Sequence, residues 1–348
     1  MHLGLQRAAI ALMGAMTAAA ASAEVYNPLI YRVPNGYAWM QVEGAGDNGV
    51  MSGFFRLAGT PNGDRAGYLT PQGFKNMHPV GYTMSRIDDS WGGYHCGAGM
   101  PGGTANLNAL FWVGGETAVN LHPGGPYSNS MAFAGAGQIQ VGFVQMGDET
   151  FAAAWSRTPI SMRILPSQGY QHVVANSTDG VQHGGQGANF FNHHHALLWK
   201  TSFLAPVDLH PQEFMISAVT ANSGNTQAGY AYQIDNKYRA MLWNGTAESH
   251  VNLHPAGFDT SVVHGMRGDV QVGSGTVLLN GGGERTQAIA WHGSAGSWID
   301  LHSRLPAEFQ GWHSVATDVD NNGNIVGYVA SPSWGMKRPV IWLRSDGI

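Results

Sequence analysis

Along the chain, short runs of alternating apolar and polar residues are cut at close intervals by Gly, Asn, Asp or Pro. No window keeps the three-and-four spacing of an amphipathic helix for three turns, so the pattern predicts strands and tight turns. The runs also recur. Ala240-Met241-Leu242-Trp243 is followed by a polar stretch, then Val251-Asn252-Leu253-His254-Pro255, Phe258, Ser261 and Gln271-Val272-Gly273. The same series stands upstream as Ala196-Leu197-Leu198-Trp199, Val207-Asp208-Leu209-His210-Pro211, Phe214, Ser217 and Gln227-Ala228-Gly229. It stands again as Ala109-Leu110-Phe111-Trp112, Val119-Asn120-Leu121-His122-Pro123, Tyr127, Ser130 and Gln140-Val141-Gly142.

The Trp position of this series falls at Leu69, Trp112, Trp155, Trp199, Trp243, Trp291 and Trp342, at spacings of 43 to 51 residues. Each copy reads as four strands; for the Trp243 copy they are 216–221, 227–232, 238–243 and 250–253. Four strands at a period in the forties is the signature of a β-propeller blade. The expectation is an all-β, seven-bladed propeller with four-stranded blades. The last copy, with strands at 314–319, 324–330 and 338–342, is one strand short. The spare segment Pro28-Leu29-Ile30-Tyr31-Arg32-Val33-Pro34 is expected to complete it and close the ring, which removes exposed edges. The first complete blade would hold 39–43, 50–55, 67–69 and 74–77. No composition shift divides the ring, so the expected organisation is a leader over 1–23 and one propeller over 24–348.

Two stretches carry a family resemblance: His195-Ala196-Leu197-Leu198-Trp199, and Ser314-Val315-Ala316-Thr317-Asp318-Val319 with Asn321-Asn322-Gly323-Asn324-Ile325-Val326-Gly327. They resemble the HAF-type extracellular repeats, named for a His-Ala-Phe tripeptide before Leu-Trp. That family's Asp-Leu-Gly turn is replaced here by Asp/Asn-Leu-His-Pro. The resemblance implies an exported repeat protein and no particular activity.

Composition narrows the partners. Of 348 residues, 11% are charged, 49 are Gly and 10% are aromatic, which suits a turn-rich sheet protein and not a disordered chain. A net charge of −5 leaves no basic footprint for nucleic acid or anionic membrane. Arg7, the apolar run Ala8 to Ala21, and Ala21-Ser22-Ala23 before Glu24 have the order of an export signal. The run is too short for a membrane span, and the mature chain is expected to be soluble, monomeric, and secreted or periplasmic. Cys96 is the only cysteine, which excludes an intrachain disulfide and a cysteine-based zinc cage; it reads as a small buried hydrophobe.

Histidine supplies most of the candidate chemistry. His78, His122, His210, His254 and His302 share one repeat position, where Leu165-Pro166 lacks the His. They either tether the outer strand to the next blade or converge on a metal; outer-strand ends lie too far apart for one ion, which favours the tether. His172 and His313 open innermost strands, His95 and His183 fall in second strands, and His193-His194-His195 precede a third strand. His172, His193 and His194 therefore share one face of one blade and form a candidate zinc or copper site. His172 and His193 with Tyr170 form a candidate acid–base set. Asp318-Val319-Asp320-Asn321-Asn322-Gly323 opens like a calcium loop, but a tight hairpin explains the same residues. The aromatics before the inner strands (Tyr82, Tyr127, Tyr170, Phe214, Phe258 and Trp312, with Trp39 and His313) either ring the channel mouth as ligand contacts or wedge between blades.

The function expected is binding of a neutral or weakly charged small molecule, a glycan first, at the channel mouth, with a divalent metal (Zn, Cu or Ca) left open as cofactor. The alternative is a polysaccharide lyase or other metal-dependent enzyme built on the histidine cluster.

Overall fold

The computed structural model describes residues 24–60, 63–115 and 117–345. The leader expected over 1–23 lies outside them. Seven four-stranded antiparallel sheets form a β-propeller. The innermost strands of blades 1 to 7 are Tyr37–Gly46, Tyr82–Trp91, Asn129–Ala136, Gln171–Thr178, Ile216–Ser223, Thr260–Arg267 and His313–Val319. In blade 5 the strands following the innermost one are Thr226–Tyr232, Tyr238–Trp243 and Val251–Asn252, close to expectation. Four short 3₁₀ turns are the only helical pieces among the described residues.

The ring closes through its amino-terminal strand, but earlier than expected. Val25–Ile30 pairs antiparallel with the last strand, from Val25 opposite Ser345 to Ile30 opposite Val340. The expected segment 28–34 runs too far, because the chain leaves the sheet after Tyr31 and Pro34 opens the turn that ends at Tyr37. Glu24 locks the seam: it accepts from Tyr26 Oη at 3.0 Å and lies 3.0 Å from His292 Nε2 and 2.8 Å from Arg344 Nη2.

The core sits between the blades. Trp112, Trp155, Trp199, Trp243, Trp291 and Trp342 are all buried and wedge against the preceding blade. Trp243, for example, packs with Leu198, Leu209, Phe214 and Met241, which spans blades 4 and 5. Flat, rigid indoles fill such gaps with large buried area.

The repeated histidines are tethers. His78, His122, His210, His254 and His302 place Nδ1 2.7 to 2.9 Å from Ser85, Ser130, Ser217, Ser261 and Ser314 Oγ of the next blade. Each serine oxygen also accepts the amide of Ala66, Ala109, Ala196, Ala240 or Ala288 at 2.9 to 3.0 Å. In His78, His254 and His302, Nε2 faces the carbonyls of Tyr82, Phe258 and Gln310. An imidazole that donates from Nε2 and accepts at Nδ1 is neutral. At the junction of blades 3 and 4 the tether is missing, and Leu165 and Val173 pack there instead.

Each innermost strand also carries a register shift opposite a glycine. The unpaired residues are Glu43, Asp88, Phe133, Asn176, Thr220, His264 and Thr317. The glycines are Gly53, Gly97, Gly142, Gly185, Gly229, Gly273 and Gly327, where an added Cβ would meet a first-strand carbonyl oxygen at 1.9 to 2.1 Å. A β-bulge bends its strand and re-aims the extra side chain.

Two outcomes are expected. Gly273→Ala should lower stability by about 3 kcal/mol or abolish folding, because its Cβ would stand 2.0 Å from Val262 O. Gly296→Ala, with open space around it, should stay within about 0.5 kcal/mol in the same urea titration. The second outcome concerns pH. Burial holds His78 down to about 4, with Arg65 adding to the effect. A group depressed on folding contributes stability above its unfolded pKa of about 6.5 and loses it as pH falls through the folded value. The stability advantage of the parent over His78→Gln should therefore shrink between pH 7 and 4; an advantage that stays constant would exclude a neutral tether.

Candidate functional site

The innermost strands surround a cavity of about 1000 Å³ along the ring axis. Every bulge residue lines it, forming a collar of seven side chains, one per blade. Second-strand residues Gln186, Tyr230, Ser274 and Tyr328 and the third-strand Thr286 also line it.

Three collar residues also bind backbone. Asn176 Nδ2 donates to Val219 O at 3.0 Å and Thr220 Oγ1 to Val263 O at 2.7 Å, so both staple to the next blade. Thr317 Oγ1 donates to Val326 O at 3.3 Å within its own blade. The others act on side chains. Glu43 accepts from Gln41 Nε2 at 2.7 Å and stands 3.8 Å from Arg86, which pairs with Asp88. His264 Nε2 is 3.0 Å from Ser274 Oγ, and Phe133 packs on Phe143. Lys337 donates to Gln41 Oε1 and lies over the rings of Trp39 and Tyr328.

Charge is unevenly settled here. Burial pushes Glu43 up to about 7 against the pull of Arg86, and Asp88 upward too. Asp89 and Asp318 are both raised, by burial first; for Asp89 the mutual repulsion with Asp318 comes next. Each still accepts an amide of another blade, Asp89 from Gly135 and Asp318 from Ala45, at 2.8 Å. Depth in the channel draws His264 down to about 4, so it is neutral.

The residues singled out from sequence are placed elsewhere. Tyr82, Tyr127, Tyr170, Phe214, Phe258 and Trp312 pack in the clusters between blades. Trp39 is covered by Arg56 and Lys337 at 4.9 and 5.2 Å. His313 is buried, accepts from Thr286 N at 3.0 Å and stacks on Trp334, which borders the channel. His172, in left-handed backbone (φ 47°), has Nδ1 3.7 Å from Glu149 Oε2. His194 lies close enough to His172 and His195 to feel both charges; burial, then those neighbours, lowers its pKa. His193 is exposed, and its amide donates to Asn189 Oδ1 at 3.1 Å. Among the described residues no group of three or more His, Cys, Asp or Glu is placed to share one metal ion. Tyr170 Oη donates to Asp208 Oδ2 at 2.6 Å, and His195 Nδ1 bonds the same oxygen at 2.9 Å, beside a pocket of about 410 Å³.

The Asp-rich loop is a turn. Asp320 is fully buried and accepts the amides of Asn322, Asn324 and Gly49 and the Asn324 side chain, at 2.8 to 2.9 Å. Cys96 is buried, and desolvation pushes its thiol well up.

No family model matches this sequence, and no curated protein does. Solved structures similar in shape include the β-propeller domain of the Trilobed protease from Pyrococcus furiosus, at 8% identity and TM-score 0.55. That match covers 90% of this chain and 96% of the domain, which is described as having an open velcro topology. Puromycin hydrolase matches at 11% identity and TM-score 0.52 over 90% of this chain and 55% of its own. A puromycin-hydrolyzing peptidase from Mycobacterium tuberculosis matches at 12% identity and TM-score 0.50, over 91% and 57%. The chain spans a little over half the length of these last two proteins. At such identities these likenesses establish the propeller fold alone.

If the crossing aromatics are wedges, Phe214→Ala should cost about 3 kcal/mol or more by opening the core between blades 4 and 5. His193→Ala should stay within about 0.5 kcal/mol. Equal, near-zero costs in thermal melts would return Phe214 to the role of ligand contact.

Proposed function

We propose that the protein is a binding protein that takes a small hydroxyl-rich ligand, a glycan first, into its central channel. One observation carries this reading: the collar presents a different mixture of Glu, Asp, Phe, Asn, Thr and His at one geometric position repeated around the ring. Carboxyl, amide and hydroxyl groups around one cavity match sugar hydroxyls, and the aromatic residues Phe133, Tyr230, Tyr328 and Trp334 line the same cavity. The ligand site moves from the crossing aromatics, first expected at the mouth, to the channel wall. We also assign the protein to a secreted or periplasmic location, on the leader pattern of residues 1–23.

The lyase alternative has less support. Its acid–base tyrosine, Tyr170, is held by Asp208, and its histidines line neither cavity. A glycan array followed by calorimetry is the direct test. A hit whose affinity falls at least about tenfold in Asn176→Ala or Phe133→Ala supports the channel. New reducing ends or unsaturated products would move the protein to the enzymes. Affinity that survives both changes would place the ligand elsewhere.

A further inference from the structure

We infer that Trp334 is a stacking platform at one mouth of the channel, and that a glycan docks there by the flat C–H face of a pyranose ring. This rests on the glycan reading and names the ligand feature that the site selects.

Each blade joins its second strand to its third by a short loop, and these loops share one face of the ring. In blades 4 to 7 the loop opens with the same turn, in which an amide donates to the carbonyl three residues back. The pairs are Asn192 to Asn189 O, Asn236 to Gln233 O, Gly282 to Leu279 O and Trp334 to Ser331 O, at 2.7 to 3.1 Å. All four donors are left-handed, with φ of 62°, 64°, 95° and 58°. Blades 1, 2 and 3 place Gly59, Gly103 and Gly147 in left-handed backbone in the corresponding loops. Asn and Gly adopt this conformation readily, whereas a side chain as bulky as Trp is a genuine outlier there. Blade 7 thus departs from a rule that the other six blades keep.

The departure puts an indole at the channel. Trp334 lines the cavity and is 41% exposed, while the repeat tryptophans between the blades are buried. Its ring lies on the His313 imidazole, with centroids 4.4 Å apart and planes 20° from parallel. That imidazole is buried and held at both nitrogens. Nδ1 accepts the Thr286 amide at 3.0 Å, and Nε2 donates to Pro332 O, inside the same loop, at 3.3 Å. Ser331 N closes the loop on Met336 O at 2.9 Å. Strained backbone persists where its surroundings over-determine it, and it gathers at ligand clamps. A packing wedge would be buried, and a surface side chain without a role would not be fixed in a costly conformation. Trp334 is exposed at the cavity and fixed, so stacking on it costs little further ordering.

A pyranose ring carries an apolar face of C–H groups between edges that bear hydroxyls. Laid on an indole, that face is covered, and the edges remain free for the polar collar. An open-chain polyol has the same hydroxyls and no such face. The platform therefore distinguishes ring from chain, which hydrogen-bonding groups alone do poorly.

The test uses four pyranose trimers, cellotriose, maltotriose, β-1,4-mannotriose and xylotriose, with calorimetry on the purified protein. The tightest of them should lose at least about tenfold in affinity in Trp334→Asn and only a few-fold in Trp334→Phe, which keeps a ring face. Trp334→Asn should melt close to the parent, because blades 4 and 5 use Asn at this point of the turn. Saturation transferred from the protein's aromatic protons should reach the axial ring protons of the bound trimer in the parent, and weaken in Trp334→Asn. Should that variant misfold, Trp334→Gly, with the residue of blade 6, takes its place; misfolding of both makes Trp334 a packing residue and overturns the platform. Equal affinity in the parent and Trp334→Asn, or an unchanged saturation pattern, overturns the platform and leaves the glycan reading in place. A Phe variant as weak as the Asn variant has the same effect. No binding of these trimers or of any glycan on the array overturns both.

Discussion

Everything in this ring depends on one close crossing repeated in each blade. A second-strand glycine lets a first-strand carbonyl press to within the space a Cβ would occupy, as at Gly229 against Ala218 O. That contact accommodates the bulge two residues further on, and the bulge turns one side chain out of the ladder toward the axis. The backbone is therefore uniform where the glycine stands and chemically unconstrained where the bulge stands. Scaffold and site are neighbours in each blade, but the fold demands Gly of one position and makes no such demand of the other. This is how a repeat with a strict core can hold six residue types at seven equivalent positions around one cavity.

Histidine shows the same division between architecture and chemistry. Five imidazoles are consumed in His–Ser–amide tethers, which link an outer strand, the next inner strand and a third strand in three hydrogen bonds. Burial keeps them neutral, which suits an acceptor at Nδ1. One of the two junctions without a tether, that between blades 3 and 4, is also where His172 sits in left-handed backbone. Val173 replaces the tether serine there, so packing stands in for hydrogen bonding. The absence of a motif member in one copy is thus a local exchange of one stabilising contact for another.

The fold was legible because its constraints repeat: the Trp spacing, the Leu-His-Pro turn and the second-strand glycine all recur with blade periodicity. The closing strand was misplaced by a few residues, since Pro28 and Pro34 both resemble strand boundaries and only pairing with 340–345 decides between them. The crossing aromatics could not be assigned from sequence, because a wedge and a mouth residue occupy the same repeat position. The collar was missed for the opposite reason. It is the position at which the copies disagree, as in Val42-Glu43-Gly44, Ala132-Phe133-Ala134 and Val263-His264-Gly265. A variable residue between two small or apolar ones was the available signal, and attention to recurring residues passes over it.

The carboxyls of the channel set a thermodynamic condition on the empty ring. A carboxyl whose pKa is raised on folding favours the protonated native state, so it weakens stability as pH climbs past its unfolded value toward the folded one. Glu43, held up to about 7, and the raised pair Asp89 and Asp318 all act in that sense near neutrality. The tether histidines act oppositely, since each contributes fully only once the pH exceeds its unfolded value. Over the acid range the two sets oppose each other, and near neutral pH the tethers are complete while the channel acids are ionising. Raised carboxyls gather on the axis, whereas the spaces between the blades are filled mainly by apolar side chains. Such a departure in an otherwise consistent structure is the physical ground for proposing the channel as a binding site.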